Sequence, residues 1–277
     1  MAPRIASLHV YPVKSCRGID VDAFRIAETG PEWDRRWMIV TAAGGRFITQ
    51  RSHPAMARIA ATIGGGNLRL TSDGIEPLAV EVDHDGEARP VVVWNDTCRG
   101  VDAGDHASDW LAAILGEPLR LVRIDPAVPR LASAQFAGPG RHPVSFADAY
   151  PVLMISRESL AALNLRLPEA IPMERFRPNV VIEGVAAHAE DAMARFRFGP
   201  VVLRGVKHCT RCAVPTTDQH TGARDPDQEP LRTLKKYRND RVLKGVTFGQ
   251  NCVIDAGVGE RLAVGAELMI EGDAHLH

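Results

Sequence analysis

The stretch Gly64–Trp94, GGGNLRLTSDGIEPLAVEVDHDGEARPVVVW, decides how the rest of the chain is read. Its apolar or alternating runs, Leu68 to Thr71, Leu78 to Val82 and Val91 to Trp94, are brief and bounded by Gly, Asp, Asn and Pro, which is the pattern of short strands. The triplet Gly64-Gly65-Gly66 followed by Asn67, and the pairs Asp73-Gly74 and Asp85-Gly86, mark the turns between them. Outward from this stretch the pattern repeats at Ile5 to Tyr11, Trp37 to Thr41 and Leu119 to Ile124. The spacing predicts a mainly β chain with a few short helices (α+β), built as barrels or sandwiches rather than as alternating strand–helix units. Helices are expected at Asp105 to Gly116, Ser156 to Leu165 and Pro230 to Arg238, the last with acids before it and bases at its end to match the helix dipole.

At 277 residues and 45% hydrophobic content the chain can bury two cores. A Pro-, Gly- and Ala-rich stretch follows Ile124, so a boundary is placed near residue 125, with domains at 1–125 and 126–277. Phe146 and Asp148 mark a return to ordered structure within that stretch. The charge is balanced, 33 Lys and Arg against 34 Asp and Glu, which argues against a nucleic acid polymer or a membrane surface as partner and confines any basic site to a local cluster. The amino terminus has neither a signal-peptide nor a transit-peptide pattern, and no run approaches the roughly 18 apolar residues of a membrane span, so a cytoplasmic location is expected. Five cysteines, an odd and scattered set, do not form a disulfide framework.

Two of those cysteines stand in His208-Cys209-Thr210-Arg211-Cys212. Zinc would need about four ligands, and no second CxxC or HxxxH supplies them. A redox dithiol needs a helix start inside a βαβ unit, whereas VVLRGVKH before the motif and AVPTT after it read as strand and turn. Cys16, Cys98 and Cys252 are read as packing residues. Cys212 stands out by its cationic company, Arg211, Lys207 and His208, which would favour a thiolate. Further basic and small polar clusters occur in YPVKSCRG (Tyr11–Gly18), DRRWMIV (Asp34–Val40) and RFRPNVVI (Arg175–Ile182), where Arg175 and Arg177 share a face if extended. Arginine forks suit phosphate, and asparagine can read a heterocycle edge, so a phosphorylated ring cofactor would satisfy the inventory. No GxGxxG, GxxxxGK[ST] or GxSxG motif supports a rival enzyme class.

YPVKSCRGI, DRRWMIV, FITQR, RFRPNVVI, CTRCAVPTTDQHTG, PLRTLKKYR and FGQNCVI occur in the order found in MOSC-domain proteins with an N-terminal MOSC beta-barrel domain. From Ile5 to about Ile270 the chain resembles the amidoxime-reducing branch of that family and its bacterial counterparts. The resemblance implies a β-barrel MOSC domain after an N-terminal β-barrel domain. It also implies a molybdenum cofactor, or its tungsten analogue, in which a pterin dithiolene gives the metal two sulfurs and a protein cysteine gives a third. The metal-ligating, catalytic cysteine falls on Cys212, with Cys209 as a structural neighbour. Positions that hold the pterin and its phosphate fall on Lys14, Ser15, Arg35, Arg177 and Asn179, with Thr210 and Arg211 beside the metal ligand. Asp148 and Ser156 are additional pocket candidates, followed by Gln250.

The implied activity is reduction of small N-hydroxylated compounds, namely amidoximes, hydroxamic acids or N-hydroxylated nucleobases, by a monomer. Electrons would come from a separate donor, a ferredoxin, a flavin reductase or a b-type haem protein, because the chain has no CxxxxCxxC run of its own. Alternatives are a sulfur carrier or sulfurtransferase working through a cysteine persulfide, and a noncatalytic protein that stores the cofactor. The family pattern after the ligand cysteine is broken by Gln219-His220, which makes that turn the expected seat of substrate preference.

Overall fold

In the computed structural model, which describes residues 2–128 and 130–273, the largest sheet unites both ends of the chain. Its order is Ile19–Val21, Arg4–Val10, Val180–Glu183, Val152–Ser156, Gly245–Ala256, Val201–Thr210, Met193–Phe198 and Met269–Asp273. Neighbours are antiparallel except Val152–Ser156 against Val180–Glu183, a parallel pair that needs a crossover and uses the helix Arg157–Asn164 for it. Val152–Ser156 is buried along its whole length, which explains the unbroken apolar run VLMI before Ser156. Ile5, Leu8, Met154, Val180, Phe196, Leu203 and Cys252 share the core behind this sheet.

A second core lies between a four-stranded sheet, Trp37–Thr41, Leu119–Ile124, Asp96–Asp102 and Ala88–Val93, and the meander Ala60–Gly64, Asn67–Ser72 and Ile75–Glu81. The glycine and Asp-Gly turns of the opening stretch connect these strands, and the expected mainly β class with short helices is found. The helix Asp105–Leu115 lays Ala107, Trp110 and Leu111 onto Trp37, Ile39 and Leu121, with full burial of each large side chain worth about 1.5–3 kcal/mol. Trp110 keeps its indole N–H satisfied by donating to Glu76 O at 2.7 Å. The helix ends where Gly116 turns left-handed at φ 78°.

The other two expected helices form as Arg157–Asn164 and Leu231–Tyr237. The expected strand through Trp94 stops at Val93, since Trp94 takes φ 56° and opens a turn. Arg175 and Arg177 do not share an extended face. Met173–Phe176 winds into a 3-10 turn and Arg177 is left-handed, which sends the two guanidinium groups to different partners. After residue 125 the chain packs back onto the body, where Arg130–Leu131 pairs with Pro143–Val144 and Phe146 is fully buried. Cys16, Cys98 and Cys252 are buried as expected, and burial pushes the Cys16 thiol up to about 12. Among the described residues no helix is long and apolar enough to cross a membrane.

Gly249 controls how closely the central strands meet. At φ 84°, a Cβ there would lie 2.6 Å from Ile155 Cγ1 and 2.9 Å from Met154 O. Gly249→Ala is expected to lower the unfolding free energy by roughly 2–4 kcal/mol, left-handed strain adding to the clash, as a shift in the urea midpoint will measure.

Candidate functional site

Loops leaving the ends of several strands converge on a cavity of about 510 Å3. Tyr11–Cys16 follows the first strand and is held against Trp37 by the bond from Lys14 N to Trp37 O at 2.8 Å. The strand Val201–Thr210 ends at the cavity, and the chain turns through Arg211 and Cys212 into the short turn Val214–Thr216. The cavity is lined by Lys14, Ser15, Arg35, Asp148, Arg177, Asn179, Thr210, Arg211 and Cys212, so it gathers nine residues that the sequence singled out from distant segments.

Three of them hold backbone that L-residues rarely adopt: Ser15 at φ 65°, Arg35 at φ 47° and Arg177 at φ 58°. Each such residue costs of order 1–3 kcal/mol and persists only where its surroundings over-determine it. Gln50 Nε2 donates to Ser15 O at 2.8 Å, Arg35 N to Tyr11 O at 2.7 Å and Arg177 N to Glu174 O at 3.1 Å.

The charges are arranged in layers. The Tyr11 ring carries two guanidinium groups, Arg35 at 4.4 Å and Arg177 at 4.3 Å from its centroid. Arg35 donates to Asp34 Oδ2 at 2.5 Å, to Asn179 Oδ1 at 3.2 Å and to Arg177 O at 3.2 Å. Among the described residues Arg177 has no carboxylate partner. It donates through Nη1 to Cys16 O at 2.5 Å, while its Nη2 is buried with no acceptor. Burial, together with the repulsion of Arg35, pushes Arg177 down to about 10, so it is still a cation at neutral pH. Arg211 Nε is a second buried donor without an acceptor. Buried charged donors left unpaired are costly, and here two of them belong to the lining of one cavity.

Lys14 is buried, its Nζ donating to Phe146 O at 2.7 Å and to Asp148 Oδ1 at 2.5 Å. Burial lowers the Lys14 pKa against the opposing pull of Asp148. Asp148 keeps a side chain 63% exposed; the partial desolvation it does feel favours the neutral acid, but the Lys14 ammonium outweighs it and holds the carboxyl well below the usual range. Asn179 is fully committed to the protein. Its Oδ1 accepts from Arg35 and from Leu153 N, and its Nδ2 donates to Asp34 Oδ1 at 3.0 Å and to His9 O at 3.3 Å. It therefore braces Arg35 and Asp34 and has no amide edge left for a heterocycle.

Cys212 is half-buried in the lining. The cations expected to favour its thiolate divide. Arg211 Nη1 donates to Cys209 Sγ at 3.0 Å, Lys207 lies 4.4 Å over the Phe136 ring, and His208 turns away toward Asp240 and Asp191 O. Among the described residues no group of three or more His, Cys, Asp or Glu could hold a metal by itself. Cys209 lies in a strand and not at a helix start, which removes the dithiol reading.

Ser156 does not reach the cavity. It caps the helix Arg157–Asn164, its Oγ accepting from Ser159 N at 3.0 Å and its N–H donating to Glu190 Oε1 at 3.1 Å. Gln250 is buried against Gly205, where a Cβ would stand 2.5 Å from its Nε2, and it too is absent from the lining. The Gln219-His220 turn is likewise structural. Gln219 exchanges amide hydrogen bonds with Gln50 at 2.9 and 3.0 Å, and His220 faces solvent beside Glu174 at 3.0 Å.

Sequence reasoning missed the hairpin tip Trp94-Asn95-Asp96, which also lines the cavity. Its signal was a polar pair between two alternating runs. Trp94 is 36% exposed, donates to Asp148 Oδ1 at 3.1 Å and carries the Arg51 guanidinium 4.2 Å from its ring centroid. Arg130 ties the tip down by pairing with Asp96 at 2.8 Å and donating to Ser145 O and Ala147 O, each at 2.9 Å.

Two family models match the chain: the MOSC N-terminal beta barrel domain over residues 2–118 and the MOSC domain over residues 141–269. Among curated proteins, mitochondrial amidoxime-reducing component 1 of Homo sapiens is 32% identical over 91% of this chain and 78% of its own length. The Mus musculus protein of the same name is 33% identical over 84% and 71%, and that of Xenopus laevis 32% over 89% and 76%.

Asp148 gives the site a pH signature. Because its folded pKa is depressed, its contribution to stability is complete above the ordinary carboxylate value near 4 and is lost as pH falls toward the folded value. The stability difference between wild type and Asp148→Asn is expected to stay constant from about pH 7 to 5 and to shrink below about pH 4, as urea melts across that range will measure.

Proposed function

Because the chain belongs to the family of MOSC-domain proteins with an N-terminal MOSC beta barrel, we propose that its cavity binds a molybdenum cofactor and that the protein reduces small N-hydroxylated compounds with electrons from a separate carrier. The observation that carries this reading is the buried, unpartnered N–H of Arg177 in a cavity that also contains the half-buried thiol of Cys212. The cavity thus combines a demand for an anionic acceptor with one soft ligand and no complete metal site of its own. A phosphorylated pterin that brings its own sulfur ligands answers both. Molybdenum bound there supplies two-electron oxygen-atom chemistry that no side chain can perform.

The chain's own residues have distinct tasks. Arg177 and Arg211 offer their free N–H groups to the cofactor's acceptors, and Arg35, braced by Asp34 and Asn179, keeps the Tyr11–Arg177 stack in register. Cys212 is the protein's metal ligand. Cys209, bonded to Arg211, holds that guanidinium in place. Lys14 and Asp148 form the ion pair of the lining, and Trp94 closes one side with an aromatic surface suited to a planar amidoxime or nucleobase.

Cofactor-loaded protein is expected to hold molybdenum and to reduce benzamidoxime with a viologen dye as donor. Cys212→Ser should lose the metal and nearly all turnover. Arg177→Met should weaken pterin retention by about 10–100-fold, the worth of a charged hydrogen bond, with little change in fold by circular dichroism. The reading fails if loaded wild type has no molybdenum, if Cys212→Ser keeps metal and rate, or if Cys212 carries sulfane sulfur in a protein without pterin.

A further inference from the structure

Leu231–Lys244 contains six cations and one carboxylate, in a chain whose 33 Lys and Arg are balanced overall by 34 Asp and Glu. The segment folds as the helix Leu231–Tyr237 and a hairpin in which Asn239–Asp240 pairs with the start of Gly245–Ala256. Arg232 is neutralised by Asp227 and Glu229, and Arg238 by Asp191. Lys235, Lys236, Arg241 and Lys244 are exposed, and among the described residues none of them forms an ion pair. The one acid, Asp240, is engaged by the backbone N–H groups of Val242 and Leu243, both at 2.8 Å, and by His208 at 3.7 Å.

A charged stretch is ordinarily a solvated face. This one also displays apolar side chains, with Val242 77% and Tyr237 36% exposed, the Tyr237 ring lying 4.8 Å from the Arg166 guanidinium. Its position ties it to the cavity in two ways. Val246 O accepts from Arg211 N at 2.8 Å while Val246 pairs with Asn239 on the other side, so the Asn239–Asp240 strand stands two strand spacings, about 10 Å, from the Thr210–Cys212 segment. Leu234, on the buried side of the helix, packs in one cluster with Phe176 and Cys209, which line the cavity.

We infer that this basic face is the docking surface of an acidic one-electron carrier protein. The inference rests on the proposed reductase reaction, in which RC(=NOH)NH2 takes two electrons and two protons to give RC(=NH)NH2 and water. A one-electron carrier must dock and leave twice per turnover. Steering by long-range charge around a small apolar centre gives fast association without tight binding.

The test compares cofactor-loaded wild type with Lys235→Glu/Lys236→Glu/Arg241→Glu, and with a control in which the lysines become arginine and Arg241 becomes lysine. Benzamidoxime reduction is driven either by viologen dye or by an acidic [2Fe–2S] ferredoxin kept reduced. The charge-reversed variant is expected to lose about tenfold or more in ferredoxin kcat/KM at low salt and to lose the wild type's salt dependence, with the dye-driven rate unchanged. The control should retain wild-type kinetics. Unchanged ferredoxin kinetics in the reversed variant, equal loss of the dye-driven rate, or no ferredoxin-driven turnover by a dye-active wild type would overturn the inference. So would reversal that abolishes binding to duplex DNA or anionic phosphatidylserine vesicles and leaves ferredoxin kinetics intact. A wild type inactive even with the dye would instead overturn the proposed reaction.

Discussion

Two like charges buried against one aromatic ring are the constraint around which this molecule is organised. Arg35 and Arg177 both pack on Tyr11, and among the described residues only Arg35 has a carboxylate to balance it. In a low-dielectric interior such a pair is stable only if surrounding acceptors are fixed in place. Asp34, Asn179 and the carbonyls of Cys16 and Arg177 supply those acceptors, and the Tyr11 hydroxyl donates to Pro178 O at 3.0 Å. The left-handed backbone at Arg35 and Arg177 is the local cost of presenting both guanidinium groups to the ring. Burial also raises the Tyr11 pKa far above its ordinary value, so the ring beside the cations is a neutral phenol.

This arrangement needs segments that are far apart in sequence, and the topology delivers them. The first strand pairs with Val180–Glu183, which places Tyr11 and Lys14 beside Arg177 and Asn179. Asp148 reaches Lys14 from the segment before Val152–Ser156. The buried Gln50–Gln219 pair links the loop after Phe47 to the turn after Thr217, while Gln50 also supports Ser15. Each of these is a bond between distant parts of the chain, so the cavity is complete only when both cores are folded.

The fold class was legible because strands and turns leave local marks. Alternation, Asp-Gly pairs and the glycine triplet predicted the two later strands of the meander, not Ala60–Gly64, and apolar spacing with terminal signals predicted three helices. Nine lining residues were legible because ordered motifs survive as motifs. What local pattern could not carry was direction. Arg175 and Arg177 are two apart in sequence, yet one binds Asp218 at 3.2 Å and the other Cys16 O. Ser156 is a polar residue at the end of a buried strand, a description that fits a ligand contact and a helix cap equally well. Gln219 departs from the family pattern for a partner 169 residues away, which no local window contains. Trp94 was hidden because its role depends on a turn geometry that only the hairpin register fixes.

The two cysteines of His208–Cys212 illustrate how a single strand end can divide apparently equivalent groups. Cys209 is still within Val201–Thr210 and packs into the cluster beneath Leu231–Tyr237, with Phe176, Phe248 and Leu234. Arg211 lies between it and Cys212 in sequence and binds both Cys209 Sγ and Phe176 O, the latter at 2.6 Å. Its N–H bond to Val246 O keeps the backbone in register for one residue past the assigned strand. The chain then leaves the sheet, and Cys212 is set into the cavity without a cationic partner of its own. One sulfur is thereby bonded to a guanidinium, and the other lines the cavity with no such bond among the described residues. A spacing that suggests a pair acting together produces, at this particular strand end, two thiols in different surroundings.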